Sequence, residues 1–234
     1  MTMEEGCQCL DLIEGSGVMT ALGFNLRYEG MYEQLRELLQ GEEIHLVRTV
    51  CTIDYYLNFH MSPWFLQKAI SGGPIAEQAI HPLDCVRYVL GGRQARRALL
   101  AGEKNMAMER TEFDAENALQ LIYELEGGIY GTHMNHCGHE RFCFDLEFVG
   151  PHLRLTAHAM DSHIKGFMRG KEVMIARRPL STGLGKVQSW LEAIKTGNRD
   201  LIRSDYRDAL KTLALVEAAL KSHQTRSFEK VEAL

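Results

Sequence analysis

Between residues 106 and 175 the sequence breaks into short segments: "MAMERTEF", "ALQLIYEL", "GIYGTHMNH", "RFCFDLEFVG", "LRLTAH", "HIKGFMRG" and "EVMIA". Each alternates apolar with polar residues, and glycines or charged pairs separate them. A period of two puts the apolar side chains of an extended segment on one face and the polar ones on the other. The pattern predicts an antiparallel meander with one covered and one wet face. Helical patterns flank it, at residues 3–14, 29–40, 74–90, 186–195 and 204–222. Helices, then strands, then helices give an α+β chain: an open, mainly antiparallel sheet with helices packed on one face, rather than a doubly wound sheet.

Thr2 with Glu5 three residues on forms a capping box for the first helix, which Gly15 and Gly17 stop. The next stretch, "VMTALGFNLRY", is apolar at nearly every position at its start and reads as a strand covered on both faces. Residues 43–56 read as a further strand. Residues 58–70 read as a loop with a short helical turn broken by Pro63. Pro74 suits a first helical turn, and Pro82 must kink or split the helix that follows, since it supplies no backbone donor.

Several classes of function find no support. A net charge of −5 gives no electrostatic footprint for nucleic acid or an anionic membrane. Arg93, Arg96 and Arg97 cluster, but as the solvated end of a helix. No apolar run reaches bilayer length and no basic-then-apolar leader opens the chain, so a cytoplasmic location is expected. The six cysteines show no CxxC pair and read as reduced thiols. "GSGVMTALG" follows a helix and enters a strand, the reverse of a dinucleotide fingerprint, and "STGLGKVQ" lacks the spacing of a phosphate loop. No cofactor site is visible within the chain.

Two clusters carry possible chemistry. In "SGGPIAEQAIHPLDCVRYVLGG", Glu77, His81, Asp84 and Tyr88 share one helical face, with Ile75, Ala79, Leu83, Val86 and Leu90 opposite. Histidine is the natural proton acceptor near neutrality, and a carboxylate one turn away would orient its ring. A solvated face with weak ion pairs fits the same spacing. In "GTHMNHCGHERF", His133, His136, Cys137 and His139 are metal-ligand types. On an extended strand His133 and His136 point to opposite faces, so a polar hairpin tip is the preferred reading and no metal is assigned.

The stretches "ALGFNLRYEG", "SPWFLQKAISGGPIAEQAIHPLDCVRYVLGG" and "WLEAIKTGNRDLIRSDYRDALKTLALVEAALKSH", with the meander, resemble the C-terminal part of the Gfo/Idh/MocA oxidoreductases, the glucose-fructose oxidoreductase and inositol dehydrogenase family. The resemblance implies the substrate-binding and acid/base half of an NAD- or NADP-dependent enzyme acting on a sugar or polyol, or else a non-enzymatic carbohydrate-binding or oligomerisation module. By the same resemblance His81 and Glu77 are catalytic, and Asp84, Trp64, His60 and Arg27 contact substrate. A homo-oligomer would form through the open sheet face. The family's Glu-Lys-Pro motif and Rossmann domain should precede the first helix. Residues 1–26 would then be the remnant helix and strand of a missing dinucleotide-binding domain, and 27–234 the substrate domain. NAD or NADP would serve the full-length parent and not bind this chain alone, and the strand at 18–24, stripped of neighbours, would leave open edges.

Overall fold

A computed structural model describes residues 2–53, 63–104, 114–176 and 183–234. Among these residues there are seven α-helices and nine strands. In chain order they are α1 (Met3–Ser16), α2 (Gly30–Leu39), β1 (Leu46–Thr52), α3 (Pro63–Leu66), α4 (Lys68–Ser71) and α5 (Ile80–Val89). Then follow β2 (Ala95–Glu103), β3 (Ala118–Leu125), β4 (Ile129–His136), β5 (Cys143–Gly150), β6 (Leu153–His158), β7 (His163–Met168) and β8 (Lys171–Ala176). The chain closes with α6 (Leu184–Thr196), α7 (Tyr206–Thr225) and the two-residue β9 (Glu229–Lys230). His60 and the segment "MAMERTEF" lie outside the described residues.

The capping box at α1 forms as read: Thr2 accepts from the Glu5 amide, and the Glu5 carboxylate accepts from the Thr2 amide at 2.7 Å. The helix ends two residues later than expected, at a left-handed Gly17. Residues 18–24 are not a strand. An apolar run needs a ladder partner to become one, and here the chain's C-terminal region takes its polar groups instead. The Leu22 amide donates to the Ser204 carbonyl (2.8 Å) and Ser204 Oγ donates back to the Leu22 carbonyl (3.0 Å). Trp190 Nε1 donates to the Met19 carbonyl and Arg199 to that of Gly17. A 3₁₀ turn, Asn25–Tyr28, then leads into α2.

All the strands join one open sheet in the order β8-β7-β6-β5-β1-β4-β3-β2-β9. Every neighbouring pair is antiparallel except β1–β4, where β1 enters the middle of the meander parallel to β4. Strand β2 runs through the basic stretch that was expected to end a helix. Arg97 lies opposite Glu124 on β3 and donates to it at 2.6 Å, so this charge serves a cross-strand pair.

Alternation decides which face is covered. On β3 Leu119, Leu121, Tyr123 and Leu125 point inward and are buried, while Gln120 and Ile122 are exposed. Helices α2, α5 and α7 lie on the inward face, bringing Leu35, Leu83, Val86, Leu215 and Ala219 into one core with Leu146, Phe148 and Leu155. Each such aliphatic or aromatic side chain contributes about 1.5–3 kcal/mol through burial. Gly131 on β4 is required by its neighbour: a Cβ there would sit 2.1 Å from the Tyr123 ring. The other face is open and carries Leu46, Ile122, Tyr130, Met134, Phe167 and Met174.

Candidate active site

The paired glycines ahead of α5 both adopt left-handed backbone, φ 79° at Gly72 and 75° at Gly73, which side chains resist. Gly72 caps α4, and the Gly73 amide donates to Ser71 Oγ. The chain then enters a π-helical turn, Ile75–Ala79, before settling into α5. Pro82 explains the split. It has no amide to offer the Gln78 carbonyl four residues back, and the turn ahead of it widens. Ile75, Ala79, Leu83 and Val86 face the core as their spacing requires.

The polar stripe on the other side is not a solvated face. Its four members divide into two pairs. Asp84 is 1% exposed and sits in a buried charge network with Arg27, Arg87 and Asp208. Arg27 donates to Asp84 through Nε (2.8 Å) and Nη2 (2.5 Å), and also to Asp208 (2.6 Å). Arg87 reaches Asp208 at 2.9 Å, and the Thr212 hydroxyl accepts from Arg87 and donates to Asp84. Two arginines and two aspartates thus balance in charge and tie the 3₁₀ turn to α5 and α7. Burial opposes the ionised carboxylate of Asp208, but Arg87 and Arg27 outweigh it and hold that group below its ordinary range. Tyr88 belongs to the same region, donating to Glu33 at 3.1 Å beneath the Arg36 guanidinium.

Glu77 and His81 form the other pair, and both are half-buried. The His81 ring meets Phe24 edge-to-face, with centroids 6.1 Å apart and planes at 81°. Burial pushes its imidazole below the usual histidine range, partly countered by Asp84 one turn along. A neutral ring near pH 7 can accept a proton. Trp64 is 43% exposed on α3. Arg27 and Asp84, expected among the substrate contacts, are turned to each other inside the molecule. Phe24, Arg87, Asp208 and Thr212 were not singled out from the sequence. Arg87, three residues beyond Asp84, was within reach of the helical phase; Asp208 carries no local signal pointing to Arg27.

The second cluster disperses. His133 points into the core, its Nδ1 2.8 Å from Thr49 Oγ1, and burial lowers its pKa to about 3. Cys137 is buried too, its thiol donating to Asn135 Oδ1 at 3.0 Å and to Gln78 Oε1 at 3.3 Å. His136 and His139 instead accept from backbone amides of the turn. Among the described residues no three His, Cys, Asp or Glu side chains are placed to hold a metal. None of the six cysteines is in a disulfide.

The sequence pattern of the GFO/IDH/MocA C-terminal domain matches residues 32–151. No curated protein is similar in sequence. Solved structures share the fold. An inositol dehydrogenase homolog from Azotobacter vinelandii complexed with NAD+ superposes with a TM-score of 0.82 at 13% identity, over 98% of this chain and 69% of its own. An aldose-aldose oxidoreductase from Caulobacter crescentus complexed with glycerol gives 0.82 at 16%, with the same coverage. The super-repressor mutant of Gal80p from Saccharomyces cerevisiae gives 0.82 at 16%, over 100% of this chain and 71% of its own. At such identities the likeness carries the fold alone.

Proposed function

The chain belongs to the GFO/IDH/MocA family through its C-terminal domain, and from that premise we propose that it is the substrate-binding and acid/base half of an NAD(P)-dependent oxidoreductase acting on a sugar or polyol. The observation that carries the reading is His81: a half-buried imidazole kept neutral by burial, four residues beyond Glu77, on the helix that the paired glycines launch. Oxidising a carbinol carbon requires that its hydroxyl proton be taken up, and a neutral imidazole does this near pH 7. His81 takes that proton and returns it in the reverse direction. Glu77 orients the ring or holds a neighbouring hydroxyl, and Trp64 offers a further contact to the substrate. Arg27 and Asp84 brace the frame that carries His81.

The stretch Gly15–Gly17 does not fit a dinucleotide. Gly15 and Gly17 lie at the close of α1, with Gly17 as its left-handed cap, whereas a pyrophosphate cradle opens a helix. In this proposal the cofactor belongs to a separate dinucleotide-binding domain. The A. vinelandii neighbour is complexed with NAD+ and the C. crescentus one with glycerol, and these ligand types support the choice of cofactor and substrate class.

Two titrations of the chain test the reading. A panel of aldoses and cyclic polyols, followed through the His81 imidazole by NMR, is expected to give saturable shifts with one sugar class. NADH fluorescence is expected to be unchanged by the chain. Micromolar NADH binding, or no sugar that moves His81 at tens of millimolar, would overturn it. A second reading, a non-enzymatic assembly module, is favoured by the exposed apolar residues of the open sheet face.

A further inference from the structure

We propose that Phe24 is the positioning residue of His81: its ring, itself in contact with the Arg27 guanidinium, forms the wall against which the imidazole is held at a set angle. Three observations converge on it. Phe24 is 8% exposed although it lies in an irregular segment, so its ring is packed and not free to turn away. It meets His81 edge-to-face, an arrangement with a directional preference that greasy contact lacks. The Arg27 guanidinium lies 5.7 Å from the Phe24 centroid, and that guanidinium is itself locked to Asp84 and Asp208. Asp84 is three residues from His81 on the same helix. The imidazole is therefore located from two sides that share one anchor, its own helix and the ring that Arg27 contacts.

The arrangement does more than restrict a rotamer. The ring covers one side of the imidazole with apolar surface, which disfavours the charged form. The Arg27 guanidinium near that ring is paired with Asp84 and Asp208. Asp84, one turn along α5, acts on the imidazole in the opposite sense. The balance leaves a ring that accepts a proton from a bound hydroxyl and releases it readily, rather than one already charged.

This inference rests on the reading of His81 as the proton carrier, but its test does not need turnover. Imidazole NMR on the intact chain compares the wild type with Phe24→Ala, Phe24→Leu and Phe24→Tyr. In the wild type and Phe24→Tyr the carbon-bound His81 protons are expected to carry the ring-current displacement of an adjacent aromatic edge or face. Ala and Leu are expected to abolish it. Phe24→Ala is also expected to raise the His81 titration midpoint toward that of a free histidine, with Phe24→Tyr staying at the wild-type midpoint. Should the alanine variant fail to fold, the Leu and Tyr variants decide. If Ala or Leu leaves the His81 shifts as in the wild type, Phe24 does not position the ring. If the Phe24 variants behave as expected while no sugar moves His81, the positioning stands and the enzymatic reading falls.

Discussion

His133 shows how one side chain can set a pH dependence without touching a ligand. It is fully enclosed between β1 and β3 and bonded through Nδ1 to Thr49. Burial therefore lowers its pKa to about 3, against an ordinary value of about 6.5. Between those values the unfolded chain binds a proton that the folded chain refuses. Stability from this group is complete above pH 6.5 and is lost as the pH falls toward 3, with a slope of up to about 1.4 kcal/mol per pH unit. Urea unfolding at pH 6.5 and 5 should differ by about 2 kcal/mol more in the wild type than in His133→Gln. Equal slopes in the two proteins would show that His133 is not the group responsible. The divergence of His133 from His136 was legible, because strand alternation separates positions three apart. The depth of His133 was not, since it depends on strands and helices distant in sequence.

At the scale of elements, the 3₁₀ turn, α5 and α7 are joined by charges rather than by apolar packing alone. Removing one partner from such a buried set strands the others, at a cost of about 3–5 kcal/mol. Asp84→Asn should therefore lower the stability to urea by that amount, because Arg27 and Arg87 would then share Asp208 alone. A loss below about 1 kcal/mol would mean that solvent reaches the network. Much of this layer could be read in advance. The helical phase places Asp84 and His81 on one side and the aliphatic residues on the other, and Pro82 does divide the helix. The run at 18–24 misleads because apolar content alone cannot tell a strand from a segment whose carbonyls and amides are taken by a distant loop, here residues 190–204. Strand β2 was missed for a related reason: its arginines resemble a solvated terminus until Glu124 is brought opposite Arg97.

At the scale of the whole molecule, one sheet face is closed by helices and the other carries none among the described residues, which raises the question of what the open face meets. Register aligns its residues in rows. One row runs Ile122, Thr132, Arg48, Glu147, Thr156, Lys165 and Met174 across β3, β4, β1, β5, β6, β7 and β8. The next holds Tyr130, Leu46, Val149, Arg154 and Phe167. Glu147 accepts from Arg48 and Arg154, at 2.7 Å each, and so offsets part of the positive charge of the face from within it. Those seven strands, about 4.8 Å apart and about 20 Å long, offer about 700 Å² of flat area, close to the ~800 Å² that each partner contributes to a stable interface. A face of that size, with exposed apolar residues between its ion pairs, is suited to a second copy of itself, related by a two-fold axis. Sedimentation at micromolar concentration should find a dimer or a multiple of one. Leu46→Asp, which sets an unmatched charge at a half-exposed central position, should shift it to monomer without lowering the thermal midpoint. A monomeric wild type would show that the open face serves something other than self-association, and a variant that stays assembled would place the contact elsewhere on the molecule.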